Sequence, residues 1–132
     1  MADKLILETT FLIDLERELA HGVEGPAQAF LTSHPTSQLH ITFTVAGELA
    51  AGVSLDRRAK WEQFVAPFRV LPYTQDVCWE YGQAFRFLQA NGLLIGANDL
   101  WIAATAIASE MPVVTRNARH YQRVPGLQVL TY

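Results

Sequence analysis

Three acidic residues stand where carboxylate chemistry is possible. Glu8 directly follows a short apolar run, Glu48 lies in the second turn of a helical stretch, and Asp99 opens a stretch that is apolar on nearly every side. Each has an ordinary explanation alone: Asp99 complements the positive end of a helix dipole, and a lone Glu on a helix is usually solvated. Brought to one crevice, the three would repel one another and be costly to desolvate unless a cation neutralised them. A hard divalent ion meets that need. Oxygen donors without a neighbouring Cys or His pair favour Mg²⁺ or Mn²⁺ over Zn²⁺, and Mg²⁺ is commonly held by a few carboxylates, waters and a substrate phosphate.

The elements that must position these acids can be read from periodicity. Lys4 to Leu7 has the profile of a buried strand, and Phe11, Leu12, Leu15 and Leu19 then recur at helical spacing. A second helix is expected over 25–33, a strand over 39–42, and a helix capped by Thr42 or Thr44 with Val45, Leu49 and Val53 inward. Residues 56–66 form another helix, with Trp61, Phe64 and Val65 inward. A strand at 69–71 leads to a helix capped by Thr74 that buries Val77, Tyr81, Ala84, Phe85 and Leu88. Asn98 is the expected N-cap of the apolar helix bearing Asp99. Strands at 113–114 and 127–130 complete the chain.

Short apolar strands alternating with helices imply an α/β fold of three layers: a parallel sheet of four to five strands flanked by helices. Functional groups in such sheets gather beyond the carboxyl ends of the strands. Helices run antiparallel to the strands, so their amino ends reach that same edge. Glu8, Glu48 and Asp99 all belong there, as do Thr115 and Asn117, which leave the fourth strand.

At 132 residues the chain is expected to form one domain, 1–132, burying roughly two-thirds of its unfolded surface. No apolar run approaches the ~20 residues of a membrane span and no signal peptide is evident, so a cytoplasmic address is expected. The net charge of −3 argues against non-specific coating of nucleic acid but leaves room for a local basic patch. Cys78, the only cysteine, and the tryptophans Trp61, Trp79 and Trp101 all read as core residues within helical patterns.

Four segments together carry a family resemblance. Leu7-Glu8-Thr9-Thr10-Phe11-Leu12-Ile13-Asp14 resembles the opening of PIN domains, and Thr44-Val45-Ala46-Gly47-Glu48-Leu49 their second acidic motif. Ile95-Gly96-Ala97-Asn98-Asp99-Leu100-Trp101 is similar to the third. Val114-Thr115-Arg116-Asn117, with Arg119-His120-Tyr121, is similar to the fourth. The likeness spans the chain and is strongest to the toxin ribonucleases of VapBC-type toxin–antitoxin pairs. It implies a Mg²⁺- or Mn²⁺-dependent endoribonuclease that forms a homodimer and is silenced by a small antitoxin protein. Glu8, Glu48 and Asp99 match the family's metal-holding acids, so the ion would polarise the scissile phosphate of an RNA and activate water for in-line attack.

Two departures from the pattern stand out. The first acid is usually Asp, and Glu8 is one methylene longer, a displacement on the order of 1 Å that can cost ~10²-fold in rate. The family's fourth acid falls at Asn117 or His120, and neither is a carboxylate. Asn117 could orient a water, and His120 could be only a surface histidine. Thr10 and Thr115 could bond waters or phosphate around the metal, or simply cap. Arg116 and Arg119, with Arg123 nearby, either neutralise RNA phosphates or pair with neighbouring acids. The departures keep an alternative open, a catalytically weak or inactive PIN-like module that binds metal or RNA without turnover. A carboxylate-nucleophile phosphatase is disfavoured, because no Asp follows Glu8 two residues on.

Overall fold

The computed structural model describes residues 3–132. It begins with β1 (Lys4–Leu7), whose last three side chains are buried, and passes through Glu8 into α1 (Thr9–His21). Phe11, Leu12 and Leu15 turn inward at helical spacing, and Gly22 ends the helix in the left-handed conformation a side chain would resist. Next comes α2 (Pro26–Ser33), with Pro26 at its first position, where a missing N–H costs nothing. Its orphan N–H groups are met from outside: the Glu18 carboxylate of α1 accepts from the backbone of Gly25, Ala27 and Gln28 at 2.9–3.0 Å. Burial pushes the Glu18 carboxyl up, but those N–H groups outweigh it and hold it below its usual range.

The chain continues through β2 (Gln38–Thr42), α3 (Phe43–Ala51), a 3₁₀ turn at Val53–Leu55, α4 (Arg58–Val65) and β3 (Arg69–Leu71). Thr42, not Thr44, caps α3 by accepting from the Val45 N–H. Gly52 closes α3 early, so Val53 is 92% exposed and does not extend the inward stripe of Val45 and Leu49. Then follow α5 (Gln75–Ala90), α6 (Ala97–Ser109), β4 (Val113–Val114), α7 (Ala118–Tyr121) and β5 (Val129–Leu130). Gly96 is the N-cap of α6, and Asn98 lies exposed inside its first turn.

All five strands pair in parallel in the order β3-β2-β1-β4-β5. The strand order reverses between β1 and β4, so Glu8 and Thr115 leave adjacent strands at the switch point, where parallel sheets open a crevice. Leu5, Ile6, Leu7, Ile41, Val113 and Val114 form the buried middle layer, and α6 contributes Leu100, Ile102, Ala103 and Ala106 to the same core.

Two residues read as core lie outside it. Cys78 is exposed, and Trp79 is 61% exposed. The inward stripe of α5 runs through Val77, Ala84 and Leu88, and at roughly 100° per residue the two positions after Val77 rotate out of it. Trp101 is half-buried and stacks on Tyr81 and Tyr73 with ring centroids 4.0 and 5.0 Å apart. Trp61 is also half-buried, with its indole Nε1 donating to the Ala46 carbonyl. Among the described residues, no helix is long and apolar enough to cross a membrane.

Candidate active site

Glu8 ends β1 and caps α1, so the backbone fixes both its position and its direction. Only 3% of the residue is exposed. Burying a carboxyl is costly without donors, and here they are supplied on one oxygen. Oε2 accepts from the Thr10 N–H at 3.0 Å, the Thr10 hydroxyl at 2.6 Å and the Thr115 hydroxyl at 2.8 Å. Each hydroxyl is itself oriented by a backbone donor: Arg116 N–H on Thr10 Oγ1 and Asn117 N–H on Thr115 Oγ1. Thr10 and Thr115 therefore face Glu8 and hold one oxygen of that side chain in place.

Asp99 sits in the first turn of α6, where its charge meets the helix dipole. Its Oδ1 accepts from the Tyr121 hydroxyl at 3.1 Å, and Oδ2 lies 2.9 Å from His120 Nε2. His120 is thus a partner of Asp99, and the surface-histidine reading is set aside. The same Tyr121 hydroxyl reaches Glu8 Oε1 at 3.4 Å. Tyr121 is fully buried, and burial, followed by the charges of Glu8 and Asp99, drives its phenol far above the ordinary tyrosine value. At any physiological pH it carries its proton and can donate.

Glu48 stands further out. It is half-buried on α3, and its Oε1 accepts from the Thr9 hydroxyl at 2.8 Å. Its charge adds to the upward push on Tyr121, but it makes no hydrogen bond to Glu8, Asp99 or Tyr121. The crevice thus joins Glu8 and Asp99 through one hydroxyl, with Glu48 attached through Thr9, the neighbour of Glu8. Among the described residues, no three His, Cys, Asp or Glu side chains come close enough to enclose an ion. The side chains as they stand do not close a three-acid cage. What the pair offers is two hard oxygens facing one donor, which fits an ion such as Mg²⁺ that takes one or two carboxylates and keeps waters for the rest of its shell.

The remaining candidates separate cleanly. The Arg116 guanidinium pairs with both oxygens of Asp14, at 2.9 and 3.1 Å, and Tyr132 donates to Asp14 at 2.6 Å. Arg116 is thus ion-paired, with its side chain still 58% exposed. Arg119 is exposed and makes no ion pair among the described residues. The Asn117 side chain is exposed and caps nothing; its backbone carbonyl instead starts α7, accepting from His120 and Tyr121. Tyr121 is the site residue that pattern reading missed. An aromatic side chain at the end of a short helix signals core, and only the three-dimensional approach of Glu8 and Asp99 gives its hydroxyl a purpose.

A family model described as the PIN domain matches residues 5–127. Among curated relatives, ribonuclease VapC1 of Rickettsia felis is 31% identical over 135 residues, covering 96% of this chain and 95% of the relative. Ribonuclease VapC of Rickettsia bellii is 30% identical over 135 residues, with the same shares covered. Among solved structures, VapBC2 from Rickettsia felis, bound to a DNA fragment from the promoter, aligns with a TM-score of 0.81 at 24% identity over 98% of each chain. VapBC-1 from nontypeable Haemophilus influenzae aligns at 0.76 and 24% identity over 97% of each. At that identity the structural likenesses establish the fold.

Proposed function

The chain belongs to the PIN domain family, and from that footing we propose that it is a metal-dependent endoribonuclease, the toxin of a toxin–antitoxin pair. The observation that carries this reading is the approach of Glu8 and Asp99, from β1 and α6, to one shared hydroxyl at the switch point of a parallel sheet. Glu8 Oε1 and Asp99 Oδ1 would hold a Mg²⁺ or Mn²⁺ ion, with Glu48 supporting it through Thr9 or through a water. When bound, the ion supplies positive charge against the RNA phosphate and makes water a better nucleophile there.

The chain's own groups do the rest. Thr10 and Thr115 lock Glu8 Oε2, leaving Oε1 as the side of the carboxylate that faces the crevice. His120 orients Asp99 through Oδ2, and the acceptor there fixes Nε2 as the nitrogen carrying the proton. Contact with RNA phosphates falls to Arg116, whose side chain stays 58% exposed in its pair with Asp14, and to Arg119, with Arg123 beside them. The reading extends to a small antitoxin protein as partner, since the structural neighbours are VapBC complexes, and to a homodimer in the cytoplasm, as the family likeness implies. It treats residues 1–132 as one PIN-like domain, residues 1 and 2 lying outside those described.

The test is cleavage of structured RNA with Mn²⁺ or with EDTA, by the wild type and by Asp99→Asn. Cleavage that needs both the ion and Asp99 supports the nuclease. Its absence on every RNA tried favours the second reading, a PIN-like module that binds without turnover. That reading has one observation behind it: three donors already engage Glu8 Oε2, so half of this carboxylate is committed to structure.

A further inference from the structure

Two acids approach each other in this crevice, and the protein meets their charge from its own donors. Glu8 Oε2 has Thr10 and Thr115, Glu8 Oε1 and Asp99 Oδ1 have Tyr121, Asp99 Oδ2 has His120, and Glu48 Oε1 has Thr9. These contacts are not equivalent. The threonine bonds, at 2.6 and 2.8 Å, have the lengths of good charge-assisted O–H···O bonds. The Tyr121 contacts, at 3.1 and 3.4 Å, are stretched, because a phenol has one proton and two carboxylates draw on it. Glu8 is therefore divided between a firmly held oxygen and a loosely held one, and the loosely held one faces Asp99.

We propose that the Tyr121 hydroxyl is a latch that stands in for the divalent ion: its shared proton holds Glu8 and Asp99 together in the metal-free protein, and an incoming ion takes the same two oxygens from it. This rests on the reading of Glu8 and Asp99 as ion ligands. A contact that stabilises only the metal-free form opposes binding by the amount it stabilises, so deleting the hydroxyl tightens the ion and weakens the metal-free fold together. A buried tyrosine that merely packs would do neither.

Tyr121→Phe keeps the ring and removes the hydroxyl. Titration calorimetry with MnCl₂ is expected to give binding roughly tenfold tighter than wild type, the scale of losing one weak bond to a charged acceptor. Thermal melts in EDTA are expected to fall below wild type, with the gap narrowing under saturating Mn²⁺. The wild type carries its own signature: Mn²⁺ should produce a near-ultraviolet tyrosine difference spectrum as the phenol loses its carboxylate partners. That spectrum is best recorded in a Tyr73→Phe background, since Tyr73 bonds Thr44 on the helix of Glu48. Unchanged or weaker Mn²⁺ binding in Tyr121→Phe overturns the latch, as does a silent tyrosine spectrum in a protein that binds Mn²⁺. A wild type that binds no divalent ion overturns instead the reading of the site on which the latch depends.

Discussion

At the scale of single residues, the function comes down to which carboxylate oxygens remain available. Asp99 gives both of its oxygens to exchangeable partners, whereas Glu8 gives one to structure and one to the crevice. Asp99→Asn removes the charge an ion needs, and RNA cleavage should drop by more than the roughly 10–100-fold typical of losing an outer-shell partner. Glu8→Asp tests the extra methylene. Asp is also the better N-cap, so the variant should fold well and cleave faster than wild type in a matched assay, by up to ~10²-fold if misplacement is the whole defect; equal turnover would remove that explanation. The acids themselves were legible in the sequence because strand ends and helix starts fix where a side chain lies along the sheet. Their distances were not: whether Glu48 joins the other two directly or through Thr9 depends on helix rotation and rotamers, which periodicity leaves open.

At the scale of elements, the strand and helix alternation was legible almost throughout, because buried strands and inward helix stripes write themselves as apolar periods. What escaped was set by contacts between elements. Glu18 reads as one more charge on the outer face of α1, yet it is the N-terminal cap of α2, supplied from seven or more residues away. Glu18→Ala should cost about 1 kcal/mol in urea denaturation, the usual value of a lost cap. Its contribution has a sign with pH: the folded carboxyl lies below its ordinary value of 4.5, so the stabilisation is present above that value and is lost as pH falls through the folded one. A second device sits in β2. His40 is 4% exposed and its Nδ1 has no partner among the described residues. Burial, with the positive charges of Arg69 and Lys4 adding to it, holds its pKa below the ordinary 6.5, so the unfolded chain takes a proton that the folded chain refuses. Stability should be intact above pH 6.5 and fall as pH drops below it. His40→Leu should flatten that fall when denaturation midpoints at about pH 7 and about pH 5.5 are compared.

At the scale of the whole molecule, the parallel sheet does one thing for function: its switch point brings the ends of β1 and β4 beside the start of α6. Glu8, Thr115 and Asp99 are far apart in sequence and become neighbours only through that topology. The crevice is acidic within a chain of net charge −3, a field that favours a cation over a bare polyanion at that point of the surface. The most direct measurement is an anomalous difference map from a crystal of the wild-type protein grown with Mn²⁺. The account requires a peak within coordinating distance of Glu8 Oε1 and Asp99 Oδ1, with Glu8 Oε2 still held by Thr10 and Thr115. A crevice without Mn²⁺ in a crystal that binds it elsewhere, or an ion held by Glu48 alone, would contradict it.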